Sequence, residues 1–171
     1  KPSMSPFCMF KNIQKNPDYA PVRYDTEKYP SFCAEMGVGI QMIFTRRPIV
    51  TAKAAEALMV RTLGSGANGI GYYMYHGGST PKMGPTAFFS EFGLEHGSYR
   101  VLRLLHLFLN DFSSQLAPME TVLPKGYERM TPDNRETLRY AARVRGKSGF
   151  VFMVNFQDHD TARVDQKDLC L

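Results

Sequence analysis

Two short stretches carry the residues best suited to chemistry. In YPSFCAEMGVGIQ, residues 29–41, an apolar run reaches a lone carboxylate, Glu35, just before Gly37 and Gly39. In GIGYYMYHGG, residues 69–78, an aromatic run ends at Tyr75-His76-Gly77-Gly78. Reactive groups of parallel α/β folds gather at the carboxyl ends of strands. A carboxylate there can serve as nucleophile, general base or metal ligand, and a solvated acid at a strand end is the plainer alternative. His76 can hold a hydroxyl-rich ligand or orient Glu35; alternatively nearby backbone satisfies it and the glycines serve only the turn. Tyr72, Tyr73 and Tyr75 offer flat faces that stack on sugar rings, although core packing is the simpler role for two of the three. The pair of stretches says more than either alone, because two consecutive strands each end in polar groups followed by glycines.

Other chemistries leave no trace. There is no phosphate loop, dinucleotide fingerprint, H-E-x-x-H or G-x-S-x-G motif. LGSGANG is glycine-rich but follows a helix, so it reads as a helix stop. His106 lies among leucines and reads as packing. Cys8, Cys33 and Cys170 are odd in number and form no C-x-x-C pair, which argues against a disulfide framework or a zinc site. Cys33 reads as a small buried hydrophobe.

The elements that must position these residues follow from periodicity. The chain has 171 residues, 43% hydrophobic and 22% charged, enough for one domain or one and a fraction. Residues 29–35 read as a strand, with Tyr29, Phe32 and Cys33 suited to burial. Thr51 is a plausible N-cap for AKAAEALMVRTLG, where Ala52, Ala55, Leu58, Met59 and Leu63 share a helix face. Residues 70–75 suit a strand buried on both sides. YRVLRLLHLFLNDF gathers Val101, Leu105, Phe108 and Phe112 on one helical face. Strand, helix, strand, helix is the alternation of a parallel α/β fold, but two units cannot close an eight-stranded barrel of about 250 residues. After Pro118 a polar connector leads to LRYAARVRG and GFVFMVNFQ, a hairpin signal that begins an all-β module.

Charge narrows the partners. The net charge is +5, yet Arg46-Arg47 is the one adjacent basic pair, so nucleic acid is not an expected partner. No apolar run reaches the ~18 residues of a membrane span. KPSMSPFCMF makes a poor signal peptide.

Glu35 through RRPIVT and LGSGANGIGYYMYHGGSTP resembles the late barrel of a glycoside hydrolase family 35 β-galactosidase of the bacterial branch. LRLLHLFLNDF and the hairpin resemble the end of that barrel and the start of an accessory β domain. The similarity covers most of residues 29–156, and YMYHGG is its most specific part. It implies the last strands and helices of a (β/α)8 TIM barrel over residues 1–118 and a sandwich-like β domain beginning in 119–171. It further implies hydrolysis of terminal β-galactosides with retention, with Glu35 as nucleophile. Tyr75, His76, Gly77, Gly78 and Thr80 match the sugar-pocket region. No metal or organic cofactor is implied. The partners would be a β-galactoside or oligosaccharide substrate and the rest of the parent barrel, in a periplasmic or secreted setting.

Two departures stand out. The family's acid/base glutamate belongs to an earlier strand and no residue here matches it, so the chain alone is expected to be inactive. The region between Pro81 and Phe92 is shorter than in the family, as if PTAFFSEFG joined two separate pieces. A non-catalytic sugar-binding or scaffold fragment, or another retaining barrel glycosidase, are the alternative readings.

Overall fold

The computed structural model describes residues 9–11, 23–37, 50–77, 88–90 and 92–157. The chain is mixed α/β, with two α-helices and two small sheets among these residues. Of the suspected junction near residues 84–91, only 88–90 are among them; Gly78, Thr80, Cys8 and Cys170 lie outside them.

The first sheet pairs β1 (Phe32–Gly37) with β2 (Gly69–Tyr73) in parallel. Helix α1 (Ala52–Gly64) connects them. Thr51 caps α1 as its position predicts: its Oγ1 accepts from the Ala54 amide at 3.2 Å. The helix stops where the glycines begin, with Ser65 as C-cap and Gly66 at φ +112°. Asn68 then locks the start of β2 to the start of β1. Its side-chain oxygen accepts from the Ser31 amide at 3.0 Å, and its own amide donates to the Ser31 carbonyl at 2.8 Å.

Helix α2 (Gly97–Leu116) packs on α1. Leu102 and Leu116 are buried, while Val101, Leu105, Phe108 and Leu109 pack against the core from its margin. Beyond α2 come β3 (Glu120–Val122), β4 (Arg139–Arg145) and β5 (Ser148–Val154), an antiparallel sheet in the order β3-β4-β5. The expected hairpin is β4–β5, with Arg145 opposite Ser148 across a two-residue turn. Gly146 takes φ +61°, the positive angle such a turn requires. The short strand β3 leaves no clear pattern in the sequence. Phe152 and Val154 of β5 and Ala141 of β4 join Met59, Leu63 and Leu102 in one hydrophobic cluster with Met9 and Phe10.

Three local expectations are corrected. β1 begins at Phe32, and Tyr29 and Phe32 are exposed rather than buried. β2 is half-buried along its length, because the helices cover one of its faces. It also ends at Tyr73, two residues early, where a cis peptide joins Tyr73 to Met74.

Candidate active site

Parallel pairing brings the carboxyl ends of β1 and β2 to one end of the sheet. Phe32 faces Gly69 and Cys33 faces Ile70; then the register slips, so that Met36 faces Tyr72 and Gly37 faces Tyr73. Two residues of β1, Ala34 and Glu35, therefore stand opposite the single residue Gly71. This is a β-bulge, a device that re-aims side chains. Cys33, Met36, Ile70 and Tyr72 turn toward the helices and the core. Ala34, Glu35 and Gly37 are exposed on β1. Glu35 thus stands on the open side, two residues before the carboxyl end of β1, and not at the strand's last position as the sequence suggested, because Met36 and Gly37 continue the pairing with Tyr72 and Tyr73. Among the described residues, no hydrogen bond or ion pair engages its carboxylate.

Past β2 the chain continues through Tyr75, His76 and Gly77 at the same end. Tyr75 and His76 are exposed and Gly77 is buried. A short extended piece, Phe88–Ser90, lies alongside. His76 bridges Phe89 in parallel. The Phe89 amide donates to the Tyr75 carbonyl, and the Gly77 amide to the Phe89 carbonyl, each at 3.0 Å. Phe88 and Phe89 present edge-on contacts to Tyr75, with ring centres 5.7 and 5.3 Å apart. Tyr99 at the start of α2 backs Phe89 at 5.0 Å. Tyr75 is thereby an exposed aromatic face on a rigid aromatic support, the form of surface that stacks on a ligand ring.

The other tyrosines divide. The Tyr72 hydroxyl lies 2.8 Å from His106 Nε2 and 3.1 Å from Met59 Sδ, on the helix side. His106 is therefore more than packing. Burial raises the Tyr72 phenol well above its ordinary value and lowers the His106 imidazole below its own. Tyr73 is half-buried beside Gly37.

Sequence reasoning missed Phe88 and Phe89 as the support of Tyr75. The adjacent phenylalanines were a visible signal, but nothing local tied them to a strand end a dozen residues earlier. A cavity of about 590 Å³ opens at the opposite end of the sheet, lined by Glu27, Lys28, Asn68, Thr121 and Arg143 among others. None of the described candidate residues, Glu35, Tyr75, His76 and Gly77, lines it. Reactive groups in parallel sheets collect at carboxyl ends, so the Glu35 end, not this cavity, is the candidate active site.

The fold and site together define a mixed α/β protein with an exposed carboxylate and an aromatic platform at one end of a parallel strand pair. No model of a known protein family matches the chain, and a search of curated proteins finds no match.

Proposed function

We propose that this chain is part of a retaining β-galactosidase and that Glu35 is its nucleophile. The observation that carries this reading is the parallel pairing of β1 with β2, with Glu35 exposed two residues before the carboxyl end of β1 and Tyr75-His76-Gly77 following that of β2. The resemblance at YMYHGG supplies the substrate class. In this reading the two strands are late strands of a (β/α)8 barrel, and the rest of the barrel comes from the parent polypeptide.

The ionised Glu35 attacks the anomeric carbon of a terminal β-galactosyl unit. The bond from that carbon to the leaving oxygen breaks, and a glycosyl ester forms on Glu35. A second carboxyl, on an earlier strand of the parent, protonates the leaving oxygen and then takes a proton from a water that attacks the anomeric carbon, breaking the ester bond to Glu35 and releasing galactose and the free carboxylate. The two carboxyls must lie about 5 to 5.5 Å apart for this double displacement. Tyr75 stacks on the sugar ring, and His76 with Gly77, Gly78 and Thr80 lines the pocket.

The test is an assay of the full-length parent on nitrophenyl β-galactoside, with Glu35→Gln beside it. The wild type is expected to turn over, and the variant to lose at least about a thousandfold in kcat. Activity that survives Glu35→Gln would remove the nucleophile assignment. Galactose binding without turnover by the wild type would favour a sugar-binding module, and turnover of a different glycoside alone would favour another barrel glycosidase.

A further inference from the structure

We propose that Gly71 is a positioning residue for the Glu35 carboxylate, because only a residue without a side chain leaves room for the bulge that turns Glu35 outward. The inference rests on the reading of Glu35 as nucleophile. Its geometry is local to the two strands.

Strand residues alternate faces, so a one-residue slip moves every later side chain to the other face. Cys33 turns toward the helices. Regular pairing after it would send Ala34 outward, Glu35 inward among Met59 and its neighbours, and Met36 outward. The observed arrangement is the reverse for the last two: Met36 is 3% exposed and Glu35 is exposed. The extra residue between Cys33 and Met36 makes this phase change. A regular ladder would bury an unpaired carboxylate, which is costly, so the bulge is coupled to the chemistry of residue 35.

The bulge needs space on β2. A Cβ added at Gly71 would come within 2.4 Å of the Ala34 carbonyl oxygen and 3.2 Å of its carbon. The obstacle is backbone, one peptide before Glu35, and it cannot swing aside as a side chain can. Gly69, two residues earlier on the same strand, provides the contrast. A Cβ there would meet the ring of Phe32, at 2.3 Å from Cδ2. That ring is 67% exposed and free to rotate away. Two glycine-to-alanine changes on one strand are therefore expected to have different outcomes.

In the full-length parent, Gly71→Ala is expected to lower kcat about a hundredfold, the scale of a misplacement of about 1 Å, with KM within about threefold. Gly69→Ala is expected to stay within about threefold in both. In the isotope-labelled 171-residue chain, Gly71→Ala should shift the amide signals of Ala34, Glu35 and Met36, and Gly69→Ala should leave those of Glu35 and Met36 in place. If Gly71→Ala does not fold, deleting Ala34 in the same background removes the opposing carbonyl and is expected to restore folding. Unchanged kcat in Gly71→Ala, unmoved amide signals, or no rescue by the Ala34 deletion would each overturn the proposal. Loss of activity in Glu35→Gln with none in Gly71→Ala would remove the role of Gly71 and leave the nucleophile standing. Full activity in Glu35→Gln would instead remove the nucleophile reading itself.

Discussion

The Arg143 guanidinium, on β4, donates through Nη1 to the carbonyl oxygen of Leu63, 80 residues earlier in α1, at 2.9 Å. Its Nη2 reaches the carbonyls of Leu116 at 3.2 Å and Met119 at 2.9 Å, and its Nε reaches Met119 at 3.0 Å. One buried side chain thus satisfies carbonyls at the last turns of both helices, groups that have no partner within their own helix. The negative ends of the two helix dipoles supply the countercharge, and among the described residues no carboxylate pairs with it. Burial lowers the affinity of the group for its proton, but a guanidinium starts so high that it stays charged. Replacing Arg143 by Ala takes both donors from the Met119 carbonyl and leaves the Leu63 and Leu116 carbonyls with only the turn amides of Gly66 and Met119, at 3.2 and 3.0 Å, and is expected to cost on the order of 2 kcal/mol in urea unfolding. Arg143→Lys is expected to recover only part of this, because an ammonium cannot span three carbonyls as the planar fork does. A loss below about 1 kcal/mol for Arg143→Ala would show that water replaces the side chain.

Gly64 tests packing against propensity. Gly64 is the last residue of α1, where alanine gains at most about 1 kcal/mol over glycine. Here the added Cβ would lie 2.6 Å from Phe10 Cε1 and 2.8 Å from Phe152 Cβ. Overpacking of this sort costs about 1 to 3 kcal/mol. Gly64→Ala is therefore expected to destabilise the protein, by about 1 kcal/mol net. A higher melting temperature than wild type would contradict the packing of β5 on α1.

The Tyr72–His106 pair sets two pH limits. The folded state disfavours the His106 cation, so below about pH 6.5 the unfolded chain takes up this proton more readily. Stability from this site is present above that pH and falls as pH drops through the lowered folded value. The folded state also holds the Tyr72 proton, so above about pH 10 the unfolded chain loses it first and stability falls as pH rises. In melting curves across this range, His106→Gln is expected to flatten the acid limb and Tyr72→Phe the alkaline limb. Acid limbs that coincide for wild type and His106→Gln would refute the assignment.

Thr51 caps α1 through a single side-chain bond to the Ala54 amide. Thr51→Ala is expected to cost about 1 kcal/mol, and Thr51→Ser or Thr51→Asp to restore most of it. Equal stability of the alanine and serine variants would mean that water caps the helix equally well.

How much of this was legible along the chain depended on how local the cause was. Thr51 and the glycines after Leu63 delimit α1 because a cap and a stop act within one turn. The β4–β5 hairpin was readable because Gly146 sits between two β-rich runs. The strand–helix–strand order that brings Glu35 and Tyr75 to one end followed from the same periodicities. The burial of Tyr29 and Phe32 was misread, because apolar character alone does not say which face of a strand is covered.

RYAARVR shows where local reading stops. Its alternation is plain, and hydrophobicity would turn Tyr140, Ala142 and Val144 inward. The fold instead buries Arg139, Ala141 and Arg143. Arg139 donates to the carbonyls of Phe156, Pro132 and Asn134 and to Gln157 Oε1, and Arg143 to the helix ends. The alternation and the strand were written in the residue types; the choice of face was not, because carbonyl groups brought from distant parts of the chain made it. The same holds at Glu35, whose direction depends on the Ala34 carbonyl finding space over Gly71. The sequence by itself determined the helices, the hairpin and the presence of a carboxylate near, though not at, a strand end. Tertiary structure alone decided which way Glu35 and the arginines point, since every residue has the same carbonyl and no side-chain pattern marks where one will meet a partner.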